Sequence, residues 1–242
     1  MRLFGKNPVI ERIKSRPETV KKVYLQNNID LSDIVRELKK AGLKFEPADK
    51  SVLQSKYGPI HSQGVIAEVD EYEYTPFTDI ISDCVEKISI PVFLDGVTDP
   101  QNLGAVIRTL ACMGGFSLII PEHNACLVNE TVLRVASGGE NYIKIAKVIN
   151  NVKAVKTIKE RGVWIAGAVA VNGRDITKTD FLFPMAVIIG SEGKGIRPGL
   201  TRCLDTGLSI PMRGAGLSYN VSTAVSLICY EIARRESTGR AL

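Results

Sequence analysis

Residues 90–121, IPVFLDGVTDPQNLGAVIRTLACMGGFSLIIP, contain the pattern that decides the fold. A short apolar run (90–94) is followed by an amphipathic segment (102–113) and by a second apolar run (116–120). Short apolar runs bounded by turn residues indicate buried strands, and a helix between two of them is typical of a parallel βαβ unit. This stretch therefore predicts an α/β protein whose mostly parallel sheet is covered on both faces.

The same alternation extends to both sides of this stretch. Towards the C-terminus it predicts strands within 142–149, 163–170, 184–190 and 207–212, and a long final helix over 218–235. Residues 1–70 predict a smaller α/β unit, in which Asn7 caps a helix that begins at Pro8. Residues 71–88 are first acidic and aromatic and then helical, so we interpret them as a linker and a leading helix before a second domain at 89–242.

Composition excludes several classes of protein. An apolar content of 45% is too high for a disordered chain. The sequence contains no apolar run long enough to cross a bilayer and no signal-peptide pattern, which predicts a cytoplasmic protein without membrane contact. The five cysteines are scattered and only two histidines are present, so we expect neither a disulfide framework nor a metal site.

Charge is unevenly distributed along the chain. Residues 1–60 contain 13 basic and 7 acidic side chains and residues 96–242 contain 17 and 11, whereas residues 61–95 contain 1 and 8. Clustered Lys and Arg are typical of a surface that binds RNA, although ordinary solvated surface gives the same pattern. Charge alone leaves both interpretations open.

Three polar or glycine-rich motifs each follow a predicted strand, where ligands bind in open α/β sheets. The first, LDGVTDPQNLGAVIRTL (94–110), has Asp99 or Asn102 as a helix cap and Arg108 nearly two turns further on. A capped helix with a surface arginine would explain it, but an arginine there can also hold a phosphate.

The second motif, VIIGSEGKGIRPGL (187–200), matches neither a P-loop nor a dinucleotide fingerprint, and its Glu192 is free to anchor a neighbouring loop. The third, SIPMRGAGLSYNVSTAVSLICYE (209–231), predicts a helix capped by Ser218 or Asn220. Helix capping needs one polar residue, whereas five crowd the start of this helix.

Taken together, DPQNLGAVIRT, IIGSEGKGI and IPMRGAGLSYNVSTA resemble, in order and spacing, the three motifs of the SpoU/TrmH (SPOUT) family of RNA 2′-O-ribose methyltransferases. The first seventy residues, including GKNPVIERI and HSQGVIAEV (61–69), resemble the L30e/L7Ae-like substrate-binding domain of the ribosomal RNA members. One departure is Tyr219, where the family usually has leucine.

The resemblance implies a deep trefoil knot in the catalytic domain at 89–242 and S-adenosylmethionine as the cofactor. It implies cofactor contacts at Gly190, Ile210 and Tyr219, with Gly167, Ala168, Met212 and Ser218 as neighbours. It assigns the chemistry to Arg108, surrounded by Asn102, Glu192, Ser218 and Asn220. Because a guanidinium is almost never neutral, we expect Arg108 to hold a phosphate or a developing alkoxide rather than to act as a base.

The resemblance also implies RNA as the substrate and a homodimer. We expect the apolar residues of the helices at 77–87 and 218–235, such as Ile80, Val85 and Ile228, to contribute to the dimer. We expect residues 1–70 to select a hairpin loop of large-subunit rRNA, carrying a guanosine as the methyl acceptor, with the acidic linker keeping the two domains separate and mobile. The alternatives are a tRNA methyltransferase, a noncatalytic ribosome-binding relative, and an unrelated nucleotide-binding α/β enzyme.

Overall fold

The structure is a computed structural model that describes residues 1–59, 62–215 and 217–239. His61 of the N-terminal motif and Gly216 of the third motif lie outside the described residues.

The first unit of the fold is a small mixed sheet with helices on both faces. Its elements are β1 (Arg2–Phe4), α1 (Lys6–Ser15), β2 (Val20–Gln26), α2 (Ser32–Lys40), β3 (Glu46–Ala48), α3 (Lys50–Tyr57) and β4 (Val65–Val69). The strand order is β1-β4-β2-β3, with β4 antiparallel to both of its neighbours and β3 parallel to β2. Apolar residues of α1 and α2 cover one face, and Leu53 and Tyr57 of α3 cover the other.

The second unit is a larger sheet. Its elements are α4 (Phe77–Val85), β5 (Ile90–Asp95), α5 (Pro100–Met113), β6 (Phe116–Pro121), α6 (Glu130–Ala136), β7 (Ile145–Val148), α7 (Asn151–Lys159), β8 (Trp164–Ala168), β9 (Arg174–Asp175), β10 (Met185–Gly190), α8 (Pro198–Thr201), β11 (Thr206–Ser209) and α9 (Val221–Gly239). Within the described residues the order is β7-β6-β5-β10-β8-β11-β9, and every neighbouring pair is parallel. The predicted parallel α/β sheet is confirmed.

Two apolar layers sandwich this larger sheet. Helices α5, α6 and α9 pack on one face, and α4, α7 and α8 pack on the other. Successive side chains of a strand point to opposite faces of the sheet. In β10, Val187 and Ile189 therefore enter the first layer and Ile188 enters the second. Strand β10 lies between β5 and β8, and its last residue, Gly190, is in register with Asp95 at the end of β5. This register brings the first and second motifs to the same edge of the sheet.

The N-terminal unit packs directly on the larger sheet unit. Leu133 of α6 belongs to the apolar core of the small unit, and Tyr72 packs against the cores of both. The backbone N–H of Val128 donates to the hydroxyl of Tyr74 at 2.9 Å. Two ion pairs also cross this interface: Arg2 binds Glu130 through two parallel hydrogen bonds of 2.7 and 2.8 Å, and Arg12 pairs with Glu140.

The expectation that the acidic linker at the start of 71–88 keeps the two units separate and mobile is therefore wrong. Its acidic side chains, Glu71 and Glu73, are exposed, but the tyrosines that alternate with them point into the protein. Burial raises the pKa of Tyr72, which agrees with its position between the two cores. Its acidic residues give the segment the composition of a linker and obscure the alternating tyrosines.

Three local differences from the sequence prediction concern short or irregular elements. Strand β1 was missed because a three-residue strand carries no readable period. Helix α1 begins at Lys6 after Gly5, so Asn7 is not its cap and Pro8 is not its first residue. The two-residue strand β9 lies in what was expected to be a loop.

Candidate functional site

The side chain of Glu192 joins three segments that are distant in sequence. Its Oε1 accepts hydrogen bonds from Asn102 Nδ2 at 3.2 Å, from Asn220 Nδ2 at 2.6 Å and from the backbone N–H of Val221 at 3.2 Å. These donors belong to the start of α5 and the start of α9, whereas Glu192 belongs to the loop after β10. One carboxylate oxygen thus connects all three motifs.

The amide of Asn220 is used at both ends, which fixes its orientation. Its Nδ2 donates to Glu192 and also to Asn102 Oδ1 at 2.9 Å, while its Oδ1 accepts from the backbone N–H of Ser222 at 2.9 Å. Of the two residues predicted as caps of the final helix, Asn220 is therefore the one that caps it. Asp99 caps α5, since its Oδ1 accepts from the backbone N–H of Gln101 at 2.9 Å.

Glycines shape the loop that carries Glu192. The backbone turns back on itself so that Gly195 N donates to Ser191 O at 2.9 Å, and Gly193 and Gly195 adopt φ angles of 78° and 63°, which favour glycine. At Gly190 the backbone of Gly195 and Ile196 passes very close. A Cβ on Gly190 would lie 2.1 Å from the carbonyl carbon of Gly195 and 2.3 Å from Ile196 N.

An ion pair between a buried carboxylate and an exposed arginine holds the far end of this loop. The carboxylate of Asp95, at the end of β5, accepts from the backbone N–H of Arg197 at 2.9 Å and from its Nε at 2.7 Å. Asp95 is 1% exposed, and its hydrogen bond raises the pKa of Arg197. Asp95 belongs to the first motif, but nothing in the sequence pattern indicates its partner, which is 102 residues away.

A cavity of about 560 Å³ lies beside this junction. It is lined by the ends of β8, β10 and β11, by the loops that follow them and by the first turns of α9, namely Ala168–Val171, Ile189–Gly193, Gly195, Leu208, Ile210, Met212, Leu217–Tyr219, Val221, Ala224 and Ile228. The size is typical of a small-molecule site, and most of the lining is apolar. The cavity and its exposed loop backbone fit a nucleoside-containing ligand such as S-adenosylmethionine.

Most of the residues predicted from the motifs meet here. The predicted cofactor residues Ala168, Gly190, Ile210, Met212 and Tyr219 line the cavity, as do Glu192 and Ser218 from the predicted catalytic set. Asn102 and Asn220 adjoin it through Glu192.

Two of the predicted residues lie elsewhere. Gly167 does not line the cavity, because a Cβ at this position would point to the opposite face of the sheet, 2.6 Å from Leu204 Cδ2. Arg108 does not line it either. It is exposed on α5, the described residues provide it with no hydrogen-bond or ion-pair partner, and its backbone packs against Gly139.

Other parts of the cavity wall were missed. The loop Val169–Val171 follows β8, and Ala224 and Ile228 lie on the inward face of α9. Ala224 and Ile228 are four residues apart and therefore share one face of a helix, a spacing that could have marked α9 as a wall. Nothing in the apolar stretch after β8 distinguishes a cavity wall from core. The described residues contain no cluster of His, Cys, Asp or Glu that could hold a metal ion, and no helix among them could cross a membrane.

The comparison with known families defines the class of protein. Residues 89–230 match the SpoU rRNA methylase family, and residues 2–75 match the RNA 2′-O ribose methyltransferase substrate-binding family. The chain therefore belongs to the SpoU family of RNA methyltransferases, and the resemblance seen in the three motifs is confirmed.

Individual relatives match over nearly the full length of the chain. It is 33% identical over 239 residues to a putative TrmH family tRNA/rRNA methyltransferase of Bacillus subtilis, covering 97% of this chain and 96% of the relative. It is 32% identical over 238 residues to the 23S rRNA (guanosine-2′-O-)-methyltransferase RlmB of Ralstonia nicotianae, again covering 97% and 96%.

A solved structure gives the same fold. The SpoU methyltransferase AviRb from Streptomyces viridochromogenes, in complex with the cofactor AdoMet, superposes with a TM-score of 0.77 at 22% identity, covering 98% of this chain and 90% of that chain. The prediction of S-adenosylmethionine as the cofactor is confirmed at the level of the family.

Replacing Gly190 with alanine tests the close approach of the two backbone segments. The new Cβ would overlap the backbone of Gly195 and Ile196, so the loop must move and carry Glu192 with it. Because backbone cannot rotate away as a side chain can, we expect a loss of more than about 3 kcal/mol in the free energy of unfolding, and loss of S-adenosylmethionine binding. Chemical denaturation and calorimetry measure the two effects.

The matched control is Gly214→Ala, where a Cβ would meet no atom within 4 Å. It should leave stability and cofactor affinity close to those of the wild type. Equal behaviour of the two variants would contradict the close approach at Gly190.

Proposed function

We propose that this protein transfers the methyl group of S-adenosylmethionine to the 2′-oxygen of a ribose in RNA. The observation that carries the proposal is the junction at Glu192, which gathers the three motifs of the family beside a cavity of suitable size. When bound, S-adenosylmethionine supplies a methyl group on a sulfonium centre. The protein must hold the ribose oxygen in line with that methyl group and accommodate the charge that develops as the oxygen loses its proton.

The cavity residues would hold the cofactor largely through backbone. The residues concerned lie at strand ends or in the loops that follow, where N–H and C=O groups are not all used by the sheet: Ala168, Gly190, Ile210, Met212 and Tyr219. Gly167, which the resemblance had included, would act only by keeping β8 close to Leu204 on the other side of the sheet. We assign it no contact with the cofactor.

The polar residues of the site would have two roles: most of them hold the loops in place, and one provides a positive charge. Asn102, Glu192 and Asn220 hold the loops in place through the hydrogen bonds described above, and Ser218 lies at the cavity wall. Arg108 would bind an RNA phosphate or stabilise the developing alkoxide, because its guanidinium remains charged and presents five donors.

We propose that Arg108 acts in the site of a second copy of the chain, in a homodimer. Its exposed position away from the cavity supports this arrangement. Of the apolar residues first expected at the dimer surface, Ile80 and Ile228 do not support it, since both are fully buried within their own chain, whereas Val85 is exposed. The exposed apolar side chains on α9 are Leu227 and Tyr230, and these are better candidates for the contact.

Mixing two inactive variants tests whether Arg108 acts across the dimer. Arg108→Ala keeps the cavity, and Ala224→Trp fills the cavity but keeps Arg108. After subunits re-equilibrate at equal amounts, half of the dimers are mixed and each has one complete site, so we expect about a quarter of the wild-type methylation rate. Each variant alone is the control. A mixture as inactive as its components would contradict the proposal.

We further propose that residues 1–70 form an L30e/L7Ae-like substrate-binding domain, that 71–88 connect it, and that 89–242 form the catalytic domain. The small α/β unit, its 13 basic side chains within residues 1–60 and its match to the substrate-binding family support this division. Because Leu133 and Glu140 are buried against this unit, deleting residues 1–75 would expose an apolar side chain and leave a carboxylate without its partner. Such a deletion is therefore not a clean test of RNA selection.

We propose the deep trefoil knot on the following grounds. In the sheet, β11 lies next to β8 on the side away from β5. The next helix after β11 is α9, which nevertheless packs on α5, the helix that follows β5. The chain between them must return across the ends of β8 and β10, where loop 191–197 closes over β10. Such crossings are very rare in proteins, so periodicity alone favours an unknotted sheet.

The substrate we propose is a guanosine in a loop of large-subunit rRNA, methylated in the cytoplasm. The relative from Ralstonia nicotianae, named for this reaction on 23S rRNA, supports it. A tRNA substrate is the alternative, because the Bacillus subtilis relative is named for tRNA and rRNA. Arg108 and Asn220 are both present, which favours an enzyme over a noncatalytic relative.

Primer extension at low dNTP concentration on RNA from cells with and without this protein tests the substrate. We expect one pause in 23S rRNA that depends on the protein, because a 2′-O-methyl group slows reverse transcriptase when nucleotides are scarce. The same extracts supply tRNA for nucleoside analysis. A protein-dependent 2′-O-methylnucleoside in tRNA, with no change in 23S rRNA, would overturn the rRNA assignment.

A further inference from the structure

One turn of the chain lies between the N-terminal unit and the helix that carries Arg108. Residues 138–142 form a turn, with a short 3-10 helix at Gly139–Asn141, that packs against α1 on one side and against α5 on the other. We call this segment the coupling turn. It follows α6 and belongs to none of the three motifs.

The coupling turn contains two consecutive glycines, and neither position has room for a side chain. A Cβ on Gly138 would lie 2.5 Å from Glu11 Cβ of α1, and Gly138 also adopts a φ of 93°. A Cβ on Gly139 would lie 3.1 Å from the Cα of Arg108 and 3.3 Å from Ala111 Cβ. The turn therefore packs closely against the backbone of the residue proposed to serve the chemistry.

A buried ion pair ties the coupling turn to the N-terminal unit. Arg12 Nη2 of α1 donates to Glu140 Oε1 at 3.2 Å, and the two side chains are 4% and 0% exposed. Asn141 Nδ2 donates to the same carboxylate oxygen at 3.2 Å, and the hydroxyl of Tyr142 donates to Glu11. Burial raises the pKa of Glu140.

The pair is poorly explained as a device for stability. Arg12 Nε and Glu140 Oε2 have no hydrogen-bond partner among the described residues, although both atoms are buried. Buried ion pairs with unsatisfied atoms contribute little net stability, and apolar residues of similar size often replace them without loss. A buried ion pair does favour one arrangement of the groups around it, because either charge would be costly to bury without the other.

We propose that Arg12 and Glu140 are positioning residues that couple docking of the N-terminal unit to the placement of Arg108. The inference rests on the role proposed above for Arg108 and adds a route by which the substrate-binding unit acts on the chemical step. When the pair is formed, the coupling turn supports the backbone of α5 at Arg108. When the pair is broken, the turn loses its attachment to α1 and Arg108 loses its support, while the cavity at the ends of β8, β10 and β11 is unaffected.

Single-turnover methylation with radiolabelled S-adenosylmethionine tests the proposal, with unmethylated 23S rRNA and unmodified tRNA transcripts as acceptors. Arg12→Met and Glu140→Leu should each lower the rate at saturating RNA by about 5- to 20-fold and leave cofactor affinity within about twofold, because the distortion affects Arg108 and not the cavity. Arg12→Lys should recover most of the rate. The double variant Arg12→Met/Glu140→Leu should also recover it, because it closes the interface with apolar groups, and it keeps the test valid if a single variant folds poorly.

The matched control is Glu130→Ala, which removes the other ion pair across the same interface, with Arg2, away from the coupling turn. It should stay within about twofold of the wild-type rate. Single variants at Arg12 and Glu140 that keep the wild-type rate would overturn the proposal, and so would an equal loss with Glu130→Ala. The role of Arg108 is tested separately by Arg108→Ala: if that variant keeps its rate, the proposed function of Arg108 fails. If the wild-type protein methylates neither acceptor, the proposed reaction itself fails.

Discussion

One carboxylate oxygen holds the candidate site together. Glu192 Oε1 receives three donors, from the start of α5 and the start of α9, and thereby ties the loop after β10 to two helices. Glu192 is exposed, so each bond contributes only about 0.5–1.5 kcal/mol to the stability of the fold. The importance of the junction lies in geometry, since the cavity wall is built from the segments that it joins.

The loop can reach this junction only because its other contacts are unusually close. Gly190 allows the backbone of Gly195 and Ile196 to pass over the end of β10, and Asp95 fastens Arg197 at the loop's far end. The buried carboxylate of Asp95, the lack of a side chain at Gly190 and the hydrogen bonds of Glu192 thus act together on a loop of about eight residues. The parallel sheet contributes the platform, because the register between β5 and β10 brings Asp95 beside Gly190.

Sequence reasoning recovered the elements that rest on local patterns. Apart from β9, the strands and helices of the larger sheet follow from apolar periodicity, and the caps Asp99 and Asn220 were each one of two candidates that turn chemistry offered. Most of the site residues predicted from the family resemblance line the cavity or adjoin it, although other parts of the cavity wall were missed. Three features were not predictable, because each depends on contacts between residues far apart in the chain. They are the pairing of Asp95 with Arg197, the face of β8 on which Gly167 lies, and the packing of the acidic segment between two cores. The rationale for a dimer failed in part for the same reason, since Ile80 and Ile228 fill the protein's own core and only Val85 of the residues invoked for it is exposed.

If Glu192 organises a pocket for S-adenosylmethionine, its substitution must weaken cofactor binding, which calorimetry with the full chain measures. Glu192→Ala removes the acceptor of three hydrogen bonds, whereas Glu192→Gln keeps an acceptor oxygen and loses only the charge. We expect the wild-type protein to bind one cofactor per chain in the presence of a chelator. The affinity of Glu192→Ala should be at least about tenfold weaker, and that of Glu192→Gln only a few fold weaker. Glu160→Ala, an exposed acidic residue after α7, is the control. Wild-type protein that binds no cofactor, or Glu192→Ala that binds it as tightly as the wild type, would contradict the account.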